Sequence, residues 1–246
     1  MIRASLIRMC LLRAPLVFAL RTLGLGVLAL AAMSGLLVSQ QADHGGVASI
    51  PVVTFTLDFP QSNPAHYSIT VDATGHARYG CMGTVAENSE EQSYDAEFEV
   101  SAGNREKIFG WAKKARYFAE KVDSGNAKLA FTGAKVLSYQ DGQLSHTARY
   151  NYSNLEPVQE LTGLFQSMAG TLEYGRRLAY YHRYQKLALD EELKRMEAQA
   201  RNNELSEIQS VAPVLEEIVE DTSVINVVRA RAKELIRTGS SGAARH

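Results

Sequence analysis

The chain has 246 residues, of which 46% are hydrophobic and 22% charged, a balance that places it among globular proteins and outside the disordered class. Its charge is unevenly divided: residues 1–42 hold four arginines and no acid, and taking these from the 26 basic residues leaves 22 against 27 acidic ones, a formal net of −5 for the remainder. An acidic body excludes the basic footprint of a nucleic-acid binder and the polybasic face of a membrane-surface module.

The first 42 residues are expected to be a signal peptide or an N-terminal membrane anchor. Arg3, Arg8, Arg13 and Arg21 precede an uncharged apolar run from Leu23 to Val38, the arrangement that directs export. Positive charge before the run leaves the N-terminus in the cytoplasm and carries the rest across. The body is therefore expected in the periplasm or outside the cell, touching the membrane only through this segment. No cleavage site decides between a removed leader and a retained anchor.

An α+β sheet domain is predicted over residues 50–182. Val53, Phe55, Leu57 and Phe59 alternate with polar residues, the period of a half-buried strand. Tyr67, Ile69 and Val71 form a second strand, and Asp72 to Gly75 a turn. Ala77, Tyr79 and Cys81 mark a third strand, and Tyr94, Ala96, Phe98 and Val100 a fourth. One-sided alternation predicts an antiparallel sheet with one solvated face. A helix then runs from Ile108 to Val122, anchored by Trp111. Asp141-Gly142 predicts a two-residue hairpin that pairs Tyr139 with Leu144 and Leu137 with His146. The sheet thus has about six strands, in the order four strands, helix, two strands, helix.

From about Leu155 the period is helical for over 40 residues. Leu161, Phe165, Met168 and Leu172 should face the sheet. A polar interruption at His182 and Lys186 suggests that the helix leaves the body there and begins a helical extension, residues 183–238. Leu189, Leu193 and Met196 resume the stripe and would face either the chain's own last helices or a partner. Tyr180 and Tyr184 cluster with Arg176, Arg177 and Arg183 near the exit, as an interface or as a rim around the core. These five residues, Tyr180, Tyr184, Leu189, Leu193 and Met196, are the candidate binding site. Ser206 and Gln209 have capping-box spacing, Pro213 opens a further helix, and Asp221 or Ser223 caps the last one. Residues 239–246 read as a disordered tail.

No catalytic motif or metal-ligand spacing is present in the sequence, and no cofactor, metal or catalytic residue is expected. His66 and His76 could share the outer sheet face, which alone makes a weak site. Cys81 is the single cysteine of the body, Cys10 lying in the leader, and reads as a small buried hydrophobe.

Tyr67-Ser68-Ile69-Thr70-Val71, Gly75 to Tyr79, and the hairpin from Tyr139-Gln140-Asp141-Gly142 to Tyr152 that leads into Leu161–Leu164 carry a resemblance over residues 52–175. In this order they resemble uncharacterised secreted α+β envelope domains of acidobacterial-type hypothetical proteins. The resemblance implies a fold and carries no catalytic residues. Three functions follow as expectations: an envelope binding or protein-interaction module, a self-associating structural protein that dimerises through the long helix, and a hydrolase with an unrecognised pocket.

Overall fold

Alternation of apolar and polar residues builds six strands, and in the computed structural model, which describes residues 49–86 and 89–243, they form one antiparallel sheet. The strands are β1 (Val52–Asp58), β2 (His66–Asp72), β3 (His76–Gly83), β4 (Gln92–Glu99), β5 (Ala134–Gln140) and β6 (Ser145–Tyr150), and the spatial order is β4-β3-β2-β1-β5-β6. Every second side chain points to the covered face. Val53, Phe55, Ile69, Val71, Tyr79 and Leu137 are all buried there. The other face is polar, and Thr54 and Thr70 join hydroxyls across it at 3.1 Å. The expected α+β class, with a six-stranded sheet and a long helix, is the class observed.

Two helices cover the apolar face. α1 (Ala102–Lys114) follows β4, and α2 (Glu156–Tyr184) follows β6. At 1.5 Å per residue the 29 residues of α2 extend for about 43 Å. Phe165 of α2 stacks on Phe55 of β1 with ring centroids 5.4 Å apart and planes 7° from parallel.

Three local expectations are corrected. α1 stops at Lys114 rather than running to Val122, because Arg116, Tyr117 and Phe118 take left-handed backbone angles (φ 52°, 53° and 64°). That turn redirects the chain so that Phe118 and Val122 still reach the core, while Tyr117 packs on Tyr139 with centroids 4.4 Å apart. The side chains of α1 that seal the core are Ile108 and Ala112, and Trp111 is only partly covered. The hairpin pairs Tyr139 with His146 and Leu137 with Ala148, two residues away from the predicted register. The Asp141 carboxylate accepts from the backbone N–H of Gln143 and Leu144, organising a four-residue loop. A shift of two keeps every side chain on its face, so His146 remains on the inner side, half-buried at the rim.

The largest correction concerns the C-terminal half. The stripe predicts a continuous helix, but α2 ends at Gln185, whose backbone (φ −146°, ψ 58°) leaves the helical region. A short 3-10 turn, Lys186–Ala188, reverses the chain into α3 (Leu189–Arg201). α4 (Ala212–Glu220) follows a second 3-10 turn, Ile208–Val211, with Pro213 in its first turn as expected. Ser206 does not cap this turn; its hydroxyl bonds Ser167 on α2. α5 begins at Asn226, after Asp221 has bonded the N–H and hydroxyl of Ser223 to make a turn instead of a cap. α5 continues to Ala243, so residues 239–243 of the expected tail are helical, and Gly239 is buried against the Ile208 turn. The described residues form one compact unit, in which residues 183–238 fold back on α2. The expected leader, residues 1–42, and the end of the expected tail lie outside the described residues.

Candidate functional site

The five residues expected to bind a partner fall into two environments. Leu189, Leu193 and Met196 are 0% exposed. They lie under α5, whose Arg231 bonds Asp190 and Glu197 of α3 at 3.1 and 2.6 Å. The stripe is therefore covered by the chain's own last helix and offers nothing to a partner. Tyr180 and Tyr184 do stand on the surface at the end of α2, with ring centroids 5.1 Å apart and Tyr184 63% exposed. Leu187, in the turn between α2 and α3, is 98% exposed.

Arg176 is withdrawn from that surface group into the core. It forms an ion pair with Glu173 one turn earlier at 2.9 Å, and both side chains are 7% exposed. Glu173 also accepts from the Tyr79 hydroxyl at 2.7 Å and from the Cys81 thiol at 3.3 Å. The remaining guanidinium N–H groups of Arg176 donate to the carbonyls of Gly83 and Thr84, where β3 ends. The cluster thus fastens α2 to β3 and the loop after it. Burial pushes the Cys81 thiol up to about 11, so it stays protonated at neutral pH and is a poor nucleophile. Burial likewise raises the Tyr79 hydroxyl, reinforced by the Glu173 carboxylate. Cys81 is buried, as its isolation in the sequence suggested.

A second polar cluster holds the end of α2 and the turn after it against the end of α4. Asp221 accepts from His182 at 2.9 Å and from Lys186, and Glu217 lies 3.9 Å from the other His182 nitrogen. Lys186, Ser223 and His182 hold the Asp221 carboxyl well below the usual carboxylate range. His66 and His76 stand at opposite ends of the sheet, beside Met82 and Glu99 respectively, and no group of three or more His, Cys, Asp or Glu suited to a metal occurs among the described residues.

A concavity opens on the side of α2 away from the sheet. It is a groove of about 830 Å³ between α1, the first half of α2, the end of α3, the turn that precedes α4 and the second half of α5. Glycines open its floor: a Cβ placed on Gly163 would meet nothing within 4 Å. At Gly175 the opposite holds, since a Cβ there would lie 2.5 Å from Val211 Cγ1, so glycine lets the turn seat directly on α2. Glu207 frames the groove's inner end. Its carboxylate is buried without a cation and accepts from the backbone N–H and hydroxyl of Ser101, from the Asn104 amide at 2.7 Å, and from Gln209. Ser101 is the N-terminal cap of α1 and Asn104 lies in its first turn, so a carboxylate from more than 100 residues away caps that helix where backbone donors and the helix dipole favour an anion. Glu207 has φ 59°, and Asn203, also in the wall, has φ 58°. Non-glycine residues held in this region store strain that surrounding structure must overcome.

The groove wall is rich in amides. Gln166, Gln199 and Asn203 line it, the first and last of them solvent-exposed, and none of these amides has a protein partner among the described residues. Trp111, the chain's single tryptophan, and Leu164 supply an apolar patch. Lys107 stands on one wall and Glu160 and Glu204 on others. No family model matches the chain, and no curated protein matches it. The sequence reading passed over this groove because its residues come from five parts of the chain and follow no motif. The nearest signal was Trp111, whose partial exposure in a helix marks a ring serving both core and surface.

Proposed function

We propose that the protein is a non-catalytic envelope module that binds an extended ligand in the groove between α1, α2 and α3. The observation that carries this reading is the open groove with unpartnered amides and the sole tryptophan in one wall. Polar groups converging on a concavity give a ligand orientation, and a partly apolar surface gives it affinity. Placement in the envelope is supported by the basic and then apolar leader, and by the resemblance to secreted envelope domains over residues 52–175.

The test uses the full chain and its Gly163→Leu variant, each immobilised and exposed to a solubilised envelope extract. Leucine at position 163 fills open space on an exposed helical turn and improves on glycine's helix propensity, so the fold is retained. A component held by the parent chain and released from Gly163→Leu is the expected result. Identical retention by both chains would remove the groove as the site.

A second reading, self-association, is favoured by the near-complete exposure of Leu187 beside Tyr184. Light scattering during gel filtration decides it. A dimer that Leu187→Asp dissociates supports this reading, and a monomer ends it.

A further inference from the structure

Resting on the groove as the binding site, we infer that its ligand is a neutral oligosaccharide. The charges of the groove argue first. Lys107 is opposed by Glu160 and Glu204, and the Glu207 carboxylate is already occupied by the serine and amide donors around the α1 start. An anionic ligand meets one lysine and two acids, with no guanidinium fork to bind a phosphate or carboxylate in two places. A polycation would require a field of one sign, which this mixture lacks.

The neutral groups argue second. A side-chain amide presents two N–H donors and an acceptor oxygen. A sugar hydroxyl both donates and accepts, so the free amides of Gln166, Gln199 and Asn203 can satisfy it in either sense. The pyranose ring completes the match, since its C–H face is apolar and of a size to lie on Trp111 and Leu164. A peptide fits less well. Peptides bind by adding a strand to a sheet edge, by laying a helix in an apolar groove, or by seating prolines between several aromatic rings. This groove is walled by helices, mixes polar and apolar surface, and is lined by a single aromatic ring, that of Trp111.

That tryptophan is also the reporter. Because the chain has no other, any change in tryptophan fluorescence arises at the groove. The full chain is titrated with tetramers of N-acetylglucosamine, of β-1,4-linked glucose and of α-1,4-linked glucose. At least one is expected to give a saturable change that differs less than about twofold between 0.15 and 0.5 M salt, since no ion pair is formed. Gly163→Leu should weaken it by about tenfold or more, a loss of about 1.4 kcal/mol. Gln166→Ala and Gln199→Ala should each weaken it about threefold to tenfold, and Arg78→Ala, on the solvated sheet face and outside the groove lining, should leave it unchanged.

Two results overturn the inference. One is no saturable change with any of the three tetramers in a chain whose unfolding curve is cooperative. The other is a change produced only by an acidic glycan such as polygalacturonate or by an extended peptide. In either case the extract experiment still decides the groove itself: retention lost in Gly163→Leu keeps the binding site and replaces its ligand class.

Discussion

Three carboxylates are buried among the described residues, Glu173, Glu192 and Glu207, and the first and last of them, on opposite sides of α2, are held by opposite means. Glu173 faces the sheet and is neutralised by Arg176, with Tyr79 and Cys81 filling the remaining acceptor sites. Glu207 lies on the far side and has no cation, only the neutral donors at the start of α1 and Gln209. An ion pair in a dry core is a fastening that cannot be half undone. A carboxylate resting on backbone and amide donors pins the turn before α4 to the start of α1, at the edge of the groove. The sheet side of α2 is closed, and its far side is open.

The comparison breaks most visibly at Glu173. Glu173→Ala strands a buried guanidinium, and urea unfolding should show a loss of about 3–5 kcal/mol. The double replacement Glu173→Met with Arg176→Leu should recover most of that loss, because uncharged side chains of similar volume remove the desolvation penalty. Full destabilisation in the double variant would mean that the hydrogen bonds to Gly83 and Thr84 carry the energy instead. Leu193→Ala, under α5, should cost about 2–5 kcal/mol by opening a cavity, whereas Leu187→Ala should change stability by less than about 0.5 kcal/mol. Equal effects would contradict the burial of one and the exposure of the other.

On the groove side the expected loss is smaller. Glu207→Ala removes a cap from α1 and should cost about 2 kcal/mol. It should also weaken ligand binding, because the turn that walls the groove loses its hold on Ser101 and Asn104. The smallest effect concerns acid stability. The Asp221 carboxyl is depressed in the fold, so its contribution is complete above the ordinary carboxylate range and is lost as pH falls through the folded value. The stability difference between the parent and Asp221→Asn should hold constant above about pH 5 and shrink below about pH 4. A constant difference down to pH 2 would show that Lys186 and His182 do not depend on the carboxylate charge.

The strands were legible because the sheet has a solvated face. Thr54, Thr56 and Asp58 between Val53, Phe55 and Leu57 write the period into the sequence. The hairpin register was not, because the side chain of Asp141, rather than the Asp-Gly dipeptide alone, chooses the loop length. The break at Gln185 was hidden by the stripe, which stays in step from Leu161 to Met196 across a reversal of direction. Glu173 and Glu207 look in sequence like any surface glutamate. Their burial depends on Tyr79, Cys81, Ser101 and Asn104, which lie 92 or more positions from the glutamate each one bonds. The groove inherits this difficulty, since five parts of the chain meet to form it.

The length of α2 has one more consequence. Phe165, Glu173 and Leu178 bind its inner side into the sheet core, while Gly175 receives Val211 and Thr171 donates to the Ser206 carbonyl on its outer side. The sheet cannot open without uncovering α2, and the last three helices cannot detach without uncovering it again. Hydrogen exchange at the middle of α2 should therefore require global unfolding, at the same rate limit as the central strands. Calorimetry of the folded body should give a single transition whose calorimetric and van't Hoff enthalpies agree: one helix, shared by both halves, makes them melt as one.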